Sequence, residues 1–331
     1  MNNTIKIGLL IQTSTSSEAR NGASLAIDEE NKKGGFKGRN FELVVKSMEG
    51  PWGTGSKQAV DMIFNDEVIA IIGLHDGRNA HLVEQATTKS NVSFISAFSG
   101  DPTLSQAFTP WFFNCLPNDN QQSELLIEEI TRKKYSRLTL ITDDDYDAKS
   151  AFKSFSAKAV KEGIPKPVTI MADKSRTDMK ETAEAIVKSN TDCLVLFTEP
   201  SLAERVICSL NEMNSSPQIY GPLSLLKESS QVYKHPEVLK NILILSSGEW
   251  FLKENSEFAN RYYQSFKSWP GAEASYSYDA TMIMINAAVA AEGKRENVQK
   301  ALMATNYRGA TGVVRFDERG NRVVVIKTTR E

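Results

Sequence analysis

Apolar and polar positions alternate along the chain in blocks of two kinds. Short runs that are apolar on both faces, such as TIKIGLLI (4–11), VIAIIG (68–73) and DCLVLF (192–197), read as strands covered on both sides. Between them lie longer segments with apolar residues three and four apart, the spacing of a helix with one buried face. The first third predicts strand 4–11, helix 17–35, strand 41–47, helix 56–66, strand 68–73, helix 79–90 and strand 92–97. Gly34-Gly35 stops the first helix, and Ser56 is the expected cap of the second. The order then restarts with helix 119–134, opened by Asp119, followed by strand 137–142, helix 146–163 and strand 167–171. Helix 176–190, strand 192–197, helix 201–213 and strand 242–247 complete this second run. Three helical segments follow, 255–268, 277–292 and 295–304, and the tail reads as a hairpin or two short strands around Gly320-Asn321.

Near-continuous apolar strands alternating with helices imply parallel sheets with helices on both faces. The restart implies two α/β units of similar layout, with CLPNDN (115–120) as the break. The expected fold class is therefore two doubly wound parallel-sheet lobes with a ligand cleft between them. Ligands of such sheets sit outside the carboxyl ends of the strands, at helix N-termini.

Composition narrows the function classes. Lysine plus arginine number 39 and aspartate plus glutamate 41, so the net charge of −2 carries no basic footprint for nucleic acid. No apolar run approaches the ~20 residues of a membrane span. The start, MNNTIKIGLLIQ, lacks the cationic region of a signal peptide, which leaves a cytoplasmic chain or a mature segment of an exported one. Cys115, Cys193 and Cys208 read as buried thiols, with a Cys193–Cys208 disulfide as the alternative.

Catalytic and nucleotide motifs fail one by one. GPWGTGSK (50–57) follows a strand and opens a helix, but its Gly55-Ser56-Lys57 order is not that of a phosphate loop. Trp52 in that loop either covers a ligand or packs on its own lobe. GLLIQTSTSS (8–17) lacks the glycines a pyrophosphate needs. His75 and His81 are six apart, and neither they nor His235 make a metal pattern; no cofactor is expected. Polar residues concentrate instead at strand ends. They are His75, Asp76, Gly77 and Arg78 in GLHDGRNAH (73–81), Asp143 to Tyr146 in TDDDYDAKS (142–150), and Glu199 in LFTEPSLAE (196–204). The acids at 143 and 144 complement a helix dipole. Glu199 takes either a ligand cation or a neighbouring amide.

NGASLAIDEENKKGGFKGRNFELVV, KQAVDMIFNDEVIAIIG, ISAFSGDPTLS, YSYDATMIMINAAVAA and, most specifically, TNYRGATGVVRFDERG (305–320) resemble the type I periplasmic binding proteins. The nearest branches are the branched-chain amino-acid-binding proteins of ABC transporters and the receptor-family ligand-binding regions. The resemblance implies an N-terminal lobe of 1–117 and 248–320 and a C-terminal lobe of 118–247 and 321–331, closing on a small solute. It implies a periplasmic or membrane-anchored extracellular monomer. That protein would deliver an amino acid or related carboxylate to a membrane permease, or serve as the sensing input of a receptor. It argues against an enzyme; the α/β enzyme alternative would use the acids at 143–147.

The family's ligand loops fall on particular positions. His75–Asn79 is the loop that grips a carboxylate, with Gly77 where the family has a hydroxyl. SAFSGD (96–101) is the next loop, with Phe98, Ser99 and Gly100 at or beside the contacts, and Gly100 again replaces a hydroxyl. Tyr146 matches the aromatic of the second lobe, and Leu223 falls where amino-acid binders place an acid for the α-ammonium. So either Glu199 or an acid of 143–145 replaces that acid, or the ligand has no ammonium. Arg78 and His75 suit a carboxylate, and Arg78 also suits the solvated start of a helix.

Overall fold

The computed structural model describes residues 4–227, 236–246, 248, 250–251, 256–323 and 327–328. The chain divides into two compact units, Met1–Asn118 with Ser247–Val325, and Asp119–Ser246 with Ile326–Glu331.

Unit 1 is built on a parallel sheet of β1 (Thr4–Ile11), β2 (Asn40–Ser47), β3 (Ala70–Leu74), β4 (Ser93–Ser96) and β5 (Phe112–Asn114). Their spatial order is β2-β1-β3-β4-β5. The connecting helices are α1 (Ser17–Lys32), α2 (Thr54–Phe64) and α3 (Gly77–Lys89). Leu10, Met62, Ile71, Val83, Phe94 and Phe112 pack between sheet and helices as one core, each contributing about 1.5–3 kcal/mol of apolar burial.

Unit 2 repeats the plan. It runs α4 (Asp119–Lys133), β6 (Leu138–Thr142), α5 (Tyr146–Lys161), β7 (Val168–Met171), α6 (Lys180–Lys188), β8 (Cys193–Phe197), α7 (Pro200–Glu212), β9 (Gln218–Gly221) and β10 (Ile242–Ser246). The parallel strands lie in the order β10-β9-β8-β6-β7, the same winding as in unit 1 read from the other edge. Leu140, Phe155, Val195, Phe197 and Tyr220 form its core.

The chain then returns to unit 1 with α8 (Glu257–Phe266), α9 (Ala272–Ala290), α10 (Arg295–Met303) and a hairpin of β11 (Tyr307–Gly309) and β12 (Gly312–Val314). A last short strand, β13 (Lys327–Thr328), pairs antiparallel with β10. Helix α9 is buried along 15 of its 19 residues. It packs on α1 so closely that a methyl at Gly22 would run into the Ala274 carbonyl oxygen.

Asp279 of α9 is fully buried and accepts hydrogen bonds from the Ala310 N–H (2.9 Å), the Thr311 N–H (2.7 Å) and the Thr311 hydroxyl (2.6 Å). Burial pushes its carboxyl up, against those donors and Arg322. Arg322, also buried, donates to the Cys115 carbonyl (3.0 Å), the Thr311 hydroxyl (3.0 Å) and the Thr311 and Val313 carbonyls.

Several expectations are corrected. Helix α2 starts at Thr54 behind Gly53, whose left-handed φ of 91° makes the turn, so Ser56 lies inside the first turn and does not cap it. Helix α3 starts at Gly77, so Gly77 and Arg78 are helical residues and not loop. Helix α6 begins only at Lys180, and α9 begins at Ala272, five residues before its apolar spacing becomes visible. Strands β5 and β9 and the β11–β12 hairpin are absent from the sequence reading. The turn at Gly320-Asn321 exists, closed by the Phe316–Arg322 bridge, but residues 312–314 pair back onto 307–309. All three cysteines are free thiols, and Cys208 is only half-buried. Ser247, Asn255 and His235 lie outside the described residues.

Two substitutions test this packing. Ala normally stabilises a helix interior over Gly by roughly 0.5–1 kcal/mol, yet Gly22→Ala is expected to lower the denaturation midpoint because α9 leaves no room. Asp279→Ala is expected to cost about 3–5 kcal/mol in urea titration, since it strands a buried guanidinium and two amide donors; a loss under about 1 kcal/mol would contradict the network.

Candidate functional site

The loops that leave the carboxyl ends of the strands are pinned to one another in each unit. In unit 1 the Glu49 carboxylate, just past β2, accepts from the Ser14 N–H (3.1 Å) and hydroxyl (2.8 Å) in the loop after β1. Those two donors hold the exposed Glu49 carboxyl below its ordinary range. The Gln12 amide oxygen accepts from the Asp76 N–H at 3.3 Å, which ties the ends of β1 and β3. Asp76 in turn caps α3 by accepting from the Asn79 N–H at 2.8 Å.

The sequence candidates of unit 1 separate into three groups. Trp52 and Arg78 come together at the surface, with the guanidinium 5.6 Å from the indole ring and Trp52 71% exposed. Phe98, Ser99 and Gly100 form one buried loop. Phe98 stands edge-on to Tyr276, and the Ser99 carbonyl accepts from the Asn114 amide at 3.2 Å. His75 turns the other way. It is 4% exposed and stacks on Phe94, its Nε2 has no hydrogen-bond partner, and burial drives its pKa down. The His75 imidazole, expected to face a carboxylate, thus sits in the core of unit 1 against Phe94.

A cluster that sequence reading missed supports the Phe98–Asp101 loop. His81 on α3 places Nε2 3.2 Å from an Asp101 carboxylate oxygen and 2.9 Å from the Thr103 hydroxyl. Its Nδ1 lies 3.6 Å from Glu84, whose other oxygen accepts from Thr109. Asp101 first, and Glu84 second, raise the imidazole pKa to about 9.

In unit 2 the loops after β6, β8 and β9 carry the candidates. Asp143, fully buried, accepts from the Asp145 N–H (3.0 Å) and from the Glu199 N–H (2.8 Å), which joins two strand ends. Burial pushes its carboxyl up, and the two amides oppose this. Asp145 caps α5 through the Ala148 N–H (3.1 Å) and pairs with Lys227 (3.0 Å). Asp144 is exposed and paired with Lys174 at 2.7 Å. Asp143 is thus a structural tie and not, as expected, one of a row of acids serving the helix dipole. Tyr146 opens α5 and is 36% exposed. Leu223 is buried in a 3-10 turn, with its N–H on the Gln122 amide oxygen at 2.8 Å. Glu199 sits at the cap position of α7, half-buried, and its carboxylate makes no cap hydrogen bond. Burial raises its carboxyl, Asp145 and Asp143 add to this, and Lys227 and Lys174 oppose it.

The residues missed from sequence are Gln12, Glu49, His81, Gln122, Lys174 and Lys227. Their partners stand far away in the chain, and no local spacing marks them. Among the described residues no group of three or more His, Cys, Asp or Glu could hold a metal ion. No helix among them is long and apolar enough to cross a membrane.

Two parallel sheets of the same winding, with pinned polar loops at their carboxyl ends, place the chain among the two-unit α/β proteins of the type I periplasmic-binding fold. The Periplasmic binding protein family matches residues 4–325, and the chain belongs to that family. Among solved structures it is similar to the branched-chain amino acid transporter substrate-binding protein LivJ of Streptococcus pneumoniae, in complex with isoleucine. That match has 21% identity and a TM-score of 0.82, over 98% of this chain and 95% of the other. An ABC transporter substrate-binding protein of Desulfitobacterium hafniense in complex with Leu matches at 17% identity, with a TM-score of 0.82 and coverage of 98% and 96%. A solute-binding protein of an ABC transporter from R. palustris, in complex with benzoate, matches at 16% identity and a TM-score of 0.82, over 98% and 92%. No curated protein matches the sequence.

The His81 clamp gives a pH prediction. With the folded pKa raised to about 9 above an ordinary value of about 6.5, its stabilisation is complete below about pH 6.5 and is lost as pH rises towards about 9. His81→Gln is expected to flatten the pH dependence of the unfolding midpoint over that window. An imidazole titrating near its ordinary value in proton NMR would contradict the clamp.

Proposed function

We propose that this chain is the extracytoplasmic solute-binding protein of an ABC importer, taking an amino acid or related small carboxylate and handing it to a membrane permease. Its two units close on the solute, and closure shifts a two-state equilibrium that the solute favours. The observation that carries this reading is the pinning of the carboxyl-end loops by Glu49–Ser14, Gln12–Asp76, Asp143–Glu199 and Gln122–Leu223. Loops held this way form a rigid receptor surface, ready for a ligand at the place where doubly wound sheets bind one. The Phe98–Gly100 loop and the Trp52–Arg78 pair supply apolar cover and a guanidinium for an acidic group. Family membership supports binding over chemistry, and no reaction is proposed. The printed ligands of the similar structures, isoleucine, Leu and benzoate, share a carboxylate.

Thermal-shift and calorimetric titration of protein that has been unfolded, dialysed and refolded test this reading. The panel holds amino acids, aliphatic and aromatic carboxylates, amides and nucleotides. A ligand at 100 times its Kd adds about 2.7 kcal/mol, enough to raise the midpoint by a few degrees in a chain of this size. Binding of a carboxylate, weakened by Tyr146→Ala with the circular dichroism unchanged, is the expected result. Native circular dichroism with no binding by any carboxylate would overturn it.

A further inference from the structure

We propose that the exposed face of α2 in unit 1 is a self-association surface, on which a second copy of this chain lays its own α2 antiparallel across a two-fold axis.

Helix α2 gives Gly55, Ala59, Met62 and Ile63 to the core of unit 1. A helix with such a buried stripe normally carries polar residues on its other side. Val60 and Phe64 stand off that stripe instead, one turn apart, 43% and 64% exposed. The three other exposed aromatic rings of unit 1 each have a partner. Trp52 meets the Arg78 guanidinium, Phe108 lies 4.3 Å from that of Arg319, and Tyr263 stacks on Trp269 at 4.6 Å. Among the described residues Phe64 has no ring or cation partner. An uncovered phenyl and an isopropyl on one helical face cost free energy in water, which burial against another apolar surface recovers.

The charges beside this pair identify a copy of the same helix as the cover. Lys57 lies one turn before Val60, and Glu67 lies just beyond the end of the helix; both are exposed. Among the described residues neither side chain makes a hydrogen bond or a salt bridge. Lys57 feels Asp61 at a distance, and Asp61 is already held by Lys46 and Asn65. A second α2 laid antiparallel, with the axis level with Met62, sets Val60 against Phe64 of the partner subunit and Lys57 against Glu67 of the partner subunit. Two-fold symmetry makes each contact twice. A parallel arrangement opposes lysine to lysine and glutamate to glutamate, which disfavours it. A helix of 11 residues is about 16 Å long, so the shared face belongs among small, transient interfaces of under about 1,200 Å² in total. The pair is therefore reversible and depends on concentration, in place of the monomer that the family resemblance implies.

Sedimentation velocity on the refolded full chain, from about 5 to about 500 μM, reads this association. A dimer that grows with concentration is expected. Phe64→Ser is expected to leave the circular dichroism and the unfolding midpoint unchanged, because the position is exposed, and to weaken the dimer at least ~10-fold. Lys57→Glu and Glu67→Lys each put like charges at both ends of the shared face, and each variant alone is expected to stay monomeric. Mixed in equal amounts, the two variants are expected to pair, because both ends of the mixed dimer again carry opposite charges. A parent chain that stays monomeric over the whole range overturns the proposal. A dimer that survives Phe64→Ser and both reversals forms on another surface and overturns it too, and so does a mixture that fails to pair.

Discussion

Unit 1 is organised around a buried carboxylate and a buried guanidinium that are joined through one threonine. Asp279 and Arg322 both use the Thr311 hydroxyl, the first as acceptor and the second as donor. Neither charge could be buried alone without a cost of several kcal/mol. The fold must therefore bring four pieces of chain to one point: α9, the β11–β12 hairpin, the segment after β5, and the tail. Three stretches adjoining the places where the chain passes between units converge there. Cys115 supplies a carbonyl and Arg322 the guanidinium, while Gly248, at φ 80°, lies so close to Ala310 and Thr311 that no side chain fits. A polar network in which the Asp279 carboxylate and both terminal nitrogens of Arg322 are hydrogen-bonded fixes a unique arrangement in a way that apolar packing alone does not.

The same network reaches towards the candidate site. The Arg322 guanidinium lies 5.9 Å from the Tyr276 ring, and Tyr276 stands edge-on to Phe98 in the loop after β4. That loop is held from its other side by His81 and Asp101. Its shape is thus set by two independent clamps, one buried and one titratable. Loops built this way hold one geometry without a partner to order them.

Much of the fold is legible in the sequence because parallel strands covered on both faces are continuous apolar runs, and the helices between them carry clear stripes. What is missed is short or polar. Strand β5 has three residues and β9 has four, too few to show a pattern beside their turns. Helix α9 opens with AEASYSYD, whose polar residues are buried against α1 and the hairpin and so hide the helix from a search for apolar spacing. The candidate loops are legible as loops at strand ends, but the directions of their side chains are not. His75 lies in a candidate loop but points into the core, where Phe94 gives its ring a better surface than water does. Lys227 meets Asp145 across 82 residues and Gln122 meets Leu223 across 101, distances over which a sequence leaves no local trace.

The two units share one winding and differ in the charge they present. In unit 1 the acids at the strand ends are spent on protein donors, Glu49 on Ser14 and Asp76 on the α3 amides, and the exposed charge is the guanidinium of Arg78 beside Trp52. In unit 2 Lys174 pairs with Asp144 and Lys227 with Asp145, Asp143 is buried on two backbone amides, and the half-buried Glu199 carboxylate makes no cap hydrogen bond. The strand ends of unit 1 thus present a guanidinium, and those of unit 2 a half-buried carboxylate among acids already bound to protein groups. Charges held this way by protein partners keep their geometry without rearrangement.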